Sequence, residues 1–511
     1  MNAEALERHF APYRARTIGQ DACFESPYGL QRIVYADWTA SGRLYAPIEQ
    51  ILQERFGPRV GNTHSEGSET GRAMTLAYHE ARDIVKAHCH AAADDLLLFA
   101  GNGMTGAMNK FQRILGLKAP EGLRKYIRIP ESERPVVFLT HMEHHSNQTS
   151  WCETIADVVV IPPDARGLVD LDALTALLHA YRMRPMKIGA FTACSNVTGV
   201  ATPYHELARL MHRAGGVAFV DFAASAPYAD IDMHPPGDAE ARLDAVLFSP
   251  HKFLGGPGAC GVLLFNRGLY HNKAPDDCGG GTVNWTNPWG GYAFLDDIEA
   301  REDAGTPGFL QAIRAALALR LKEQMGVTAM QARERAIVAC VLDGLQAIPG
   351  VHVLAPALRE RQAVFSFYMQ DLHYNLVVRL LNDRFGVQAR GGCSCAGTYG
   401  HYLLHVDPTR SKAITDLIDH GDLSNKPGWV RLSFHPTSSA ADVDHALGAL
   451  RAISAHAQVW QQDYRYSAET NDYTHRDDHG TARARVRACF ELPSADLPEA
   501  AHAAQLLRAA R

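Results

Sequence analysis

Short apolar runs alternate with amphipathic stretches between residues 34 and 270 of the chain. Most runs lead into Gly, Ser, Asp or His within a residue or two, and helical patterns such as 171–181 and 204–214 lie between them. This alternation predicts an α/β fold with a mainly parallel, seven-stranded sheet covered by helices on both faces. Binding sites in such folds lie at the carboxyl ends of the strands. The seven runs are 95–100, 135–140, 158–161, 188–192, 217–220, 245–248 and 261–265.

A smaller α+β unit is predicted after this sheet. A loop rich in Gly, Asn and Trp precedes a long helical pattern at 307–323, and the residues that follow mix helical and strand patterns. One helix is expected near the chain end. The predicted divisions are an N-terminal segment at 1–33, a large domain at 34–305, a linking helix with a small C-terminal domain at 306–455, and a weakly specified tail at 456–511.

The composition is that of a globular protein. Of the 511 residues, 46% are hydrophobic and 21% are charged, and the formal net charge is −6. These values argue against a disordered chain and against a nucleic-acid partner. The sequence contains no run of about 18 apolar residues, so no membrane span is expected. The N-terminus has no apolar signal core, and ten scattered cysteines indicate reduced thiols, so we expect a cytoplasmic protein.

Two polar positions follow apolar strands about thirty residues apart. Lys252 lies in Ser249-Pro-His251-Lys252, just after a strand. A lysine that forms a Schiff base needs a fixed, partly desolvated position, although a surface lysine in a loop would give the same pattern. Asp221 ends the earlier strand. It could cap a turn, or it could keep a pyridine nitrogen protonated, as pyridoxal phosphate (PLP) chemistry requires.

Two further segments also follow strands. His144 and His145 could bind a metal, or one ring could stack on a cofactor and exchange protons. A zinc site needs more ligands than the sequence offers here, so no metal is expected. Residues 101–106 match the glycine pattern of dinucleotide sites, but the supporting acidic residue is not found at the end of a second strand. A phosphate cradle that uses the Thr105 hydroxyl and backbone N–H groups is favoured instead.

Together these segments resemble the fold-type I PLP enzymes of the aminotransferase class V family, within the cysteine desulfurase group, over roughly residues 34–450. The resemblance implies that Lys252 carries PLP, that Asp221 holds the pyridine nitrogen and that His144 stacks on the ring and exchanges protons. It implies a homodimer with shared active sites, because Thr282 would reach the phosphate of the other subunit. The family often has a glutamine where this chain has Ala224. The other cofactor-binding residues that it implies are Gly103, Met104, Thr105, Asn196, Ser249 and His251.

The segment from Arg390 to His401 indicates the type of reaction. Its Gly-Gly-Cys393-Ser-Cys395 sequence resembles the cysteine loops of cysteine desulfurases and of molybdenum cofactor sulfurases. Positive charge on Arg390 would favour a thiolate. The resemblance places the persulfide on Cys395, although Cys393 and Ser394 replace a His-His pair. It also gives Arg431 the role of binding the substrate carboxylate through a bidentate ion pair. The other implied substrate-binding residues are Thr39, Ala40, Asn62, His64 and Arg390.

The resemblance predicts a PLP-dependent enzyme that removes sulfur or selenium from cysteine and leaves alanine. Its partners would be a small amino acid, most simply cysteine, and a sulfur-acceptor protein. Two other PLP reactions stay open, namely a cysteine desulfhydrase or other C–S lyase, and a class V aminotransferase without persulfide chemistry. From other functional classes, a non-catalytic relative of the fold and a nicotinamide dehydrogenase are weaker alternatives.

Overall fold

The protein is described by a computed structural model that covers residues 2–478 and 480–492. The helix expected near the chain end lies outside the described residues. The α-helices are Ala3–Arg14, Ala46–Gln50, Glu69–His88, Gly103–Ile114, Glu121–Arg124, His145–Cys152, Leu171–Ala180, Tyr204–Arg213, Ile298–Arg301, Phe309–Met325, Val327–Gln346, Tyr374–Phe385, Gly397–Leu403, Pro408–Asp419, Ala440–Trp460 and Thr481–Ala488.

A seven-stranded sheet forms the centre of the large domain. Six strands are parallel, and only Gly261–Asn266 runs antiparallel to both of its neighbours. The predicted mainly parallel sheet of seven strands is therefore confirmed. In spatial order its strands are Asp95–Ala100, Gly261–Asn266, Ala245–Phe248, Val217–Asp221, Lys187–Thr192, Val136–Thr140 and Asp157–Ile161.

The central strands are apolar along their whole length because helices cover both faces of the sheet. Lys187–Thr192 and Ala245–Phe248 are buried at every position. Two core clusters lie on opposite faces, one around Phe138, Phe191 and Phe248, the other around Phe111 and Phe219. Polar side chains therefore collect where these strands end.

The smaller unit is built around a four-stranded antiparallel sheet. Its strands, in spatial order, are Val351–Val353, Val364–Met369, Trp429–Ser433 and Arg390–Gly392. The helices Val327–Gln346, Tyr374–Phe385 and Ala440–Trp460 pack with it in one apolar core. A short parallel pair joins Val34–Tyr35 to Val387–Gln388. Residues at the start of the predicted large domain thus pair with residues of the small unit. The domain boundaries themselves remain a prediction.

Three hairpins complete the described fold, and one lies in the predicted tail. Tyr464 of that hairpin is buried in the core of the small unit, and its hydroxyl donates to Asp383 at 3.0 Å. The stretch after residue 456, which the sequence leaves weakly specified, thus contains an ordered element packed on helix Tyr374–Phe385. The hairpins are Cys23–Ser26 with Gly29–Arg32, Val283–Thr286 with Tyr292–Phe294, and Tyr464–Ser467 with Asp472–His475.

Candidate active site

A cavity of about 250 Å³ opens at the carboxyl ends of the central parallel strands, between the large and the small units. It contains thirteen of the seventeen residues that the sequence predicts for the site. The predicted residues that line it are Thr39, Ala40, Met104, Thr105, His144, Asn196, Asp221, Ser249, His251, Lys252, Arg390, Cys395 and Arg431.

Lys252 is held on a tight turn at the floor of this cavity. The turn is a 3-10 helix, Pro250–Lys252, that starts with proline, and Lys252 N–H donates to Ser249 O at 3.0 Å. Gly256 closes the turn because a Cβ there would lie 1.8 Å from Pro250 O. Burial lowers the pKa of Lys252 to about 8, although the nearby Asp221 carboxylate raises it. A substantial fraction of neutral amine is therefore present near physiological pH.

Asp221 ends the central strand Val217–Asp221 and is 4% exposed. In the sheet register it lies between Thr192 and Leu247 on the neighbouring strands. Burial raises the pKa of its carboxyl to about 6, although one oxygen accepts from Ala223 N–H at 2.8 Å. A buried carboxylate of this kind favours a cationic partner in the cavity.

The start of helix Gly103–Ile114 forms a cradle beside the lysine turn. Gly103 has φ +63°, and a Cβ there would lie 2.8 Å from Ser249 Oγ, so glycine is needed. The Ser249 hydroxyl accepts from Met104 N–H at 2.8 Å. Thr105 Oγ1 lies 2.7 Å from Ser146 Oγ. Backbone N–H groups and hydroxyls at a helix N-terminus suit a phosphate.

His144 caps helix His145–Cys152, and its Nδ1 accepts from Ser146 N–H at 3.1 Å. Burial, with the nearby Lys252 cation, lowers its pKa to about 3. The ring is therefore neutral and carries its proton on Nε2. The buried Glu143 carboxyl group stabilises this turn, because it accepts hydrogen bonds from Thr192 N–H at 2.9 Å and from Asn147 Nδ2 at 2.8 Å.

Arg431 lies at the cavity wall with only 3% of its side chain exposed. Its Nη1 donates to Asn196 O and its Nη2 to Asp37 Oδ1, both at 2.9 Å. Its Nε makes no hydrogen bond with any described residue. Asp37 is not among the residues that the sequence predicts for the site. Its position two residues before Thr39 in the same segment is the signal that could have identified it.

Cys395 is an exposed thiol on a loop with unusual backbone angles. Ser394 and Cys395 have φ values of 51° and 57°, in the left-handed region that side chains other than glycine rarely adopt. Each such residue costs on the order of 1 kcal/mol, so surrounding contacts must maintain the conformation. Ser394 is held by Asn196 Nδ2, which donates to its carbonyl at 2.7 Å, and by Trp429 Nε1, which donates to its hydroxyl at 3.2 Å.

The cavity wall also includes Ala224, at the position where the family often has glutamine. The neighbouring Ser225 is buried and does not line the cavity. Asn196 Oδ1 is buried and has no hydrogen-bond partner among the residues described. Asn196 is therefore the side chain at this wall that is available to accept a hydrogen bond from a hydroxyl group.

Four predicted residues lie away from the cavity lining. Gly103 does not line it, although the next residue, Met104, does, and a Cβ at residue 103 would meet Ser249 and His251. Asn62 and His64 are exposed on the segment before helix Glu69–His88, where His64 N–H donates to Thr75 Oγ1 at 3.1 Å. Thr282 is buried in its own loop and donates to Gly279 O at 2.7 Å. Within one chain, these side chains thus contribute nothing to the cavity wall.

The residues at the cavity fit PLP. A phosphate would meet the cradle at Gly103–Ile114, and a pyridinium would meet the buried Asp221 carboxylate. Asn196 Oδ1 offers an unused acceptor, and Lys252 offers an amine with a depressed pKa. The phosphate, the ring nitrogen, the hydroxyl and the aldehyde of PLP thus each have a matching group at the cavity.

The aminotransferase class-V family profile matches residues 34–446. The chain belongs to this family. Class V enzymes are PLP-dependent, so the predicted family and the prediction of an enzyme are both confirmed. Within the described residues, no three metal-binding side chains are grouped as a metal site would need, and no helix is long and apolar enough to cross a membrane.

Several class V relatives match most of this chain. A probable cysteine desulfurase of Staphylococcus aureus (strain COL) is 27% identical over 425 residues, which are 82% of this chain and 92% of the relative. Probable cysteine desulfurase 2 of Mycobacterium leprae (strain TN) is 28% identical over 403 residues, 77% of this chain and 90% of the relative.

Solved structures show the same fold. The apo structure of a cysteine desulfurase from Thermococcus onnurineus NA1 has a TM-score of 0.68 at 22% identity and covers 87% of this chain and 98% of that one. A cysteine desulfurase from Escherichia coli has a TM-score of 0.67 at 23% identity, covering 88% and 98%. The predicted fold class is thereby confirmed.

Proposed function

We propose that this class V enzyme is a PLP-dependent cysteine desulfurase, which transfers sulfur from cysteine to Cys395 and releases alanine. The observation that carries the proposal is that one cavity is lined by Lys252, Arg431 and the exposed Cys395 thiol. Together these groups provide a cofactor attachment point, a carboxylate-binding cation and a nucleophile. The names of the relatives support the same activity.

Residues of four segments would hold the cofactor. Lys252 would be its covalent attachment point, Asp221 its pyridinium partner, and His144 the ring stacked against it. Ser249, His251 and the helix start at Gly103 would hold the phosphate. Bound PLP supplies an electron sink for the α-carbon of an amino acid.

The substrate is bound by its carboxylate. Arg431 lines the cavity, its Nε makes no hydrogen bond with a described residue, and its other nitrogens are fixed by Asn196 and Asp37. A guanidinium whose orientation is fixed in this way binds a carboxylate with defined geometry. Lys252, once free, takes the α-proton as a neutral amine. His144, neutral with a proton on Nε2, is the group that can exchange a proton beside the α-carbon.

Sulfur transfer then needs only the thiolate of Cys395. It attacks the substrate sulfur, an S–S bond forms and the Cβ–S bond breaks. The electron pair of the broken bond stays on the carbon, which takes up a proton and becomes the methyl group of alanine. The sulfur remains as a persulfide on Cys395, and no external oxidant is required. A thiol of an acceptor protein would remove that sulfur by exchange.

The product formed from L-cysteine tests the proposal. The purified, PLP-loaded enzyme should release alanine in amounts equal to the sulfide recovered with a reducing thiol. Pyruvate with ammonia would instead identify a C–S lyase, and a keto acid without sulfide would identify an aminotransferase. Either result would contradict the desulfurase.

We further propose a homodimer with shared active sites. Thr282 lies outside the cavity of its own chain, and its loop continues into the hairpin Val283–Thr286 with Tyr292–Phe294. Trp285, Trp289 and Tyr292 of this hairpin are 52%, 87% and 61% exposed, an aromatic surface that a second copy would cover. Sedimentation of the holoenzyme tests this, and a monomer at micromolar concentration would contradict it.

A cytoplasmic location is proposed from the thiols. All ten cysteines of the chain, each of which lies in the described part, are free. Free thiols on this scale suit a reducing compartment. Mass spectrometry of protein alkylated in lysate under denaturing, non-reducing conditions should find ten modified cysteines, because Cys89 and Cys194 are buried in the folded protein, and native disulfides would contradict this location.

A further inference from the structure

His145 has no role in the chemistry proposed above, yet it contacts the cysteine loop at two points. Its backbone N–H donates to Cys395 O at 2.7 Å. Its ring Nε2 accepts from Gly397 N–H at 2.9 Å. The two bonds bracket the thiol-bearing residue, one at its own carbonyl and one two residues later.

The fit between the ring and the loop is close. A Cβ at residue 397 would lie 3.2 Å from His145 Nε2, so a larger residue there would push the ring away. Acceptance by Nε2 requires the neutral ring with its proton on Nδ1. Burial, together with the Lys426 cation, lowers the pKa of His145, which favours the neutral form.

The loop needs such a contact because its backbone is strained. Ser394 and Cys395 are consecutive residues with positive φ. Asn196 and Trp429 hold Ser394. Among hydrogen bonds between described residues, the one from the His145 backbone N–H reaches the backbone of Cys395, and the bond to the His145 ring holds the loop two residues later, at Gly397. Substitution of the His145 side chain removes the ring bond and leaves the backbone bond alone to hold the loop, so that strain and solvent would both favour other loop conformations.

We propose that His145 is a positioning residue that holds the Cys395 loop against the cofactor side of the cavity. The inference rests on the proposed function, since it takes Cys395 as the sulfur-accepting thiol. The two adjacent histidines thus have different roles. His144 lines the cavity, whereas His145 holds the loop that carries the nucleophile. Both lie at the start of helix His145–Cys152, which follows the carboxyl end of strand Val136–Thr140.

The test compares His145→Ala, His145→Gln and the wild-type holoenzyme. Hydrogen exchange followed by mass spectrometry reports the protection of loop peptides within 391–400 in the absence of substrate. His145→Ala should exchange these amides at least about tenfold faster and should lower kcat for alanine formation about tenfold, with KM for cysteine within about twofold. His145→Gln should restore much of both, because its side-chain carbonyl can accept from Gly397 N–H.

The control is Thr149→Ala on the same helix. The Thr149 hydroxyl is exposed and donates to His145 O within the helix, so this variant perturbs the helix without removing either loop contact. It should leave loop exchange and kcat unchanged. If His145→Ala does not fold, Gly397→Ala disturbs the same bond from the loop side and should give the same two effects.

The outcomes separate the two proposals. Unchanged loop exchange in a folded His145→Ala or Gly397→Ala enzyme overturns the positioning role and leaves the desulfurase intact. Faster exchange with unchanged kcat also overturns it. A wild-type holoenzyme that forms no alanine from cysteine overturns the proposed function, and the positioning role with it.

Discussion

Arg390 and Arg431 lie directly opposite each other on neighbouring antiparallel strands, and the carboxylate of Asp37 bridges them. Asp37 Oδ1 accepts from Arg431 Nη2 at 2.9 Å, and Asp37 Oδ2 lies 3.0 Å from Arg390 Nη2. Like charges at directly opposed positions destabilise a sheet. The carboxylate compensates them and fixes the guanidinium that we expect to bind the substrate.

Loss of this carboxylate should destabilise the fold. The Asp37→Asn variant would leave the Arg431 cation buried without its ionic partner, and breaking such a pair costs roughly 3 kcal/mol. The free energy of unfolding, measured with urea, should fall by about that amount, and KM for cysteine should rise because Arg431 loses its orientation.

The exposed pair of Arg379 with Asp472 provides the control. Its two side chains are 31% and 54% exposed, so Asp472→Asn should cost less than about 1 kcal/mol. An equal loss of unfolding free energy in the two variants would show that the Asp37 bridge stabilises the fold no more than an exposed ion pair does.

The cradle at Gly103 gives a prediction on cofactor affinity. In Gly103→Ala the new Cβ would lie 2.8 Å from Ser249 Oγ and displace a hydroxyl of the proposed phosphate site. PLP affinity, measured by titrating the apoenzyme, should fall at least about tenfold, since one hydrogen bond to a charged group contributes about 1.5–3 kcal/mol.

Gly116→Ala is the matched control for this substitution. Gly116 has φ +70°, similar to Gly103, but a Cβ there meets nothing within 4 Å. It should lose stability through backbone strain while PLP affinity stays unchanged. Equal loss of affinity in both variants would point to strain rather than to the cradle.

The pKa of Lys252 predicts how its reactivity depends on pH. Burial lowers this pKa to about 8 from 10.5, and only the neutral amine is nucleophilic. Acylation of Lys252 in the apoenzyme, followed by mass spectrometry, should therefore rise with pH and level off just above pH 8. The exposed Lys426 serves as the internal reference. A Lys252 rate that still increases tenfold per pH unit between pH 9 and 10 would contradict the shifted pKa.

Cys393 and Cys395 should differ in function. Cys395 is exposed at the cavity, whereas Cys393 is half-buried against the apolar core. Cys395→Ala should abolish alanine formation from cysteine and keep the visible absorbance of bound PLP. Cys393→Ala should retain most of the activity, and sulfur transfer by Cys395→Ala would reject Cys395 as the acceptor.

Much of the fold follows from local patterns. Seven apolar runs predicted seven strands, because a strand buried on both faces must be apolar throughout. The residues after these strands, including Asp221, His144 and Lys252, share one cavity because the ends of parallel strands meet at one edge. The antiparallel direction of Gly261–Asn266 could not be read locally, because strand direction depends on the path of the connecting chain.

The sequence by itself determined the residue types and strand-end positions that identify the family, since these are encoded within a few neighbouring residues. Only the tertiary structure decided which polar groups meet across long separations. Asp37 joins Arg431 across 394 residues, and Asn196 reaches the Ser394 carbonyl across 198. Such bonds depend on loop backbone angles and on the packing between the two units. Each chain segment contains only one of the two partners, so neither segment alone reveals the bond.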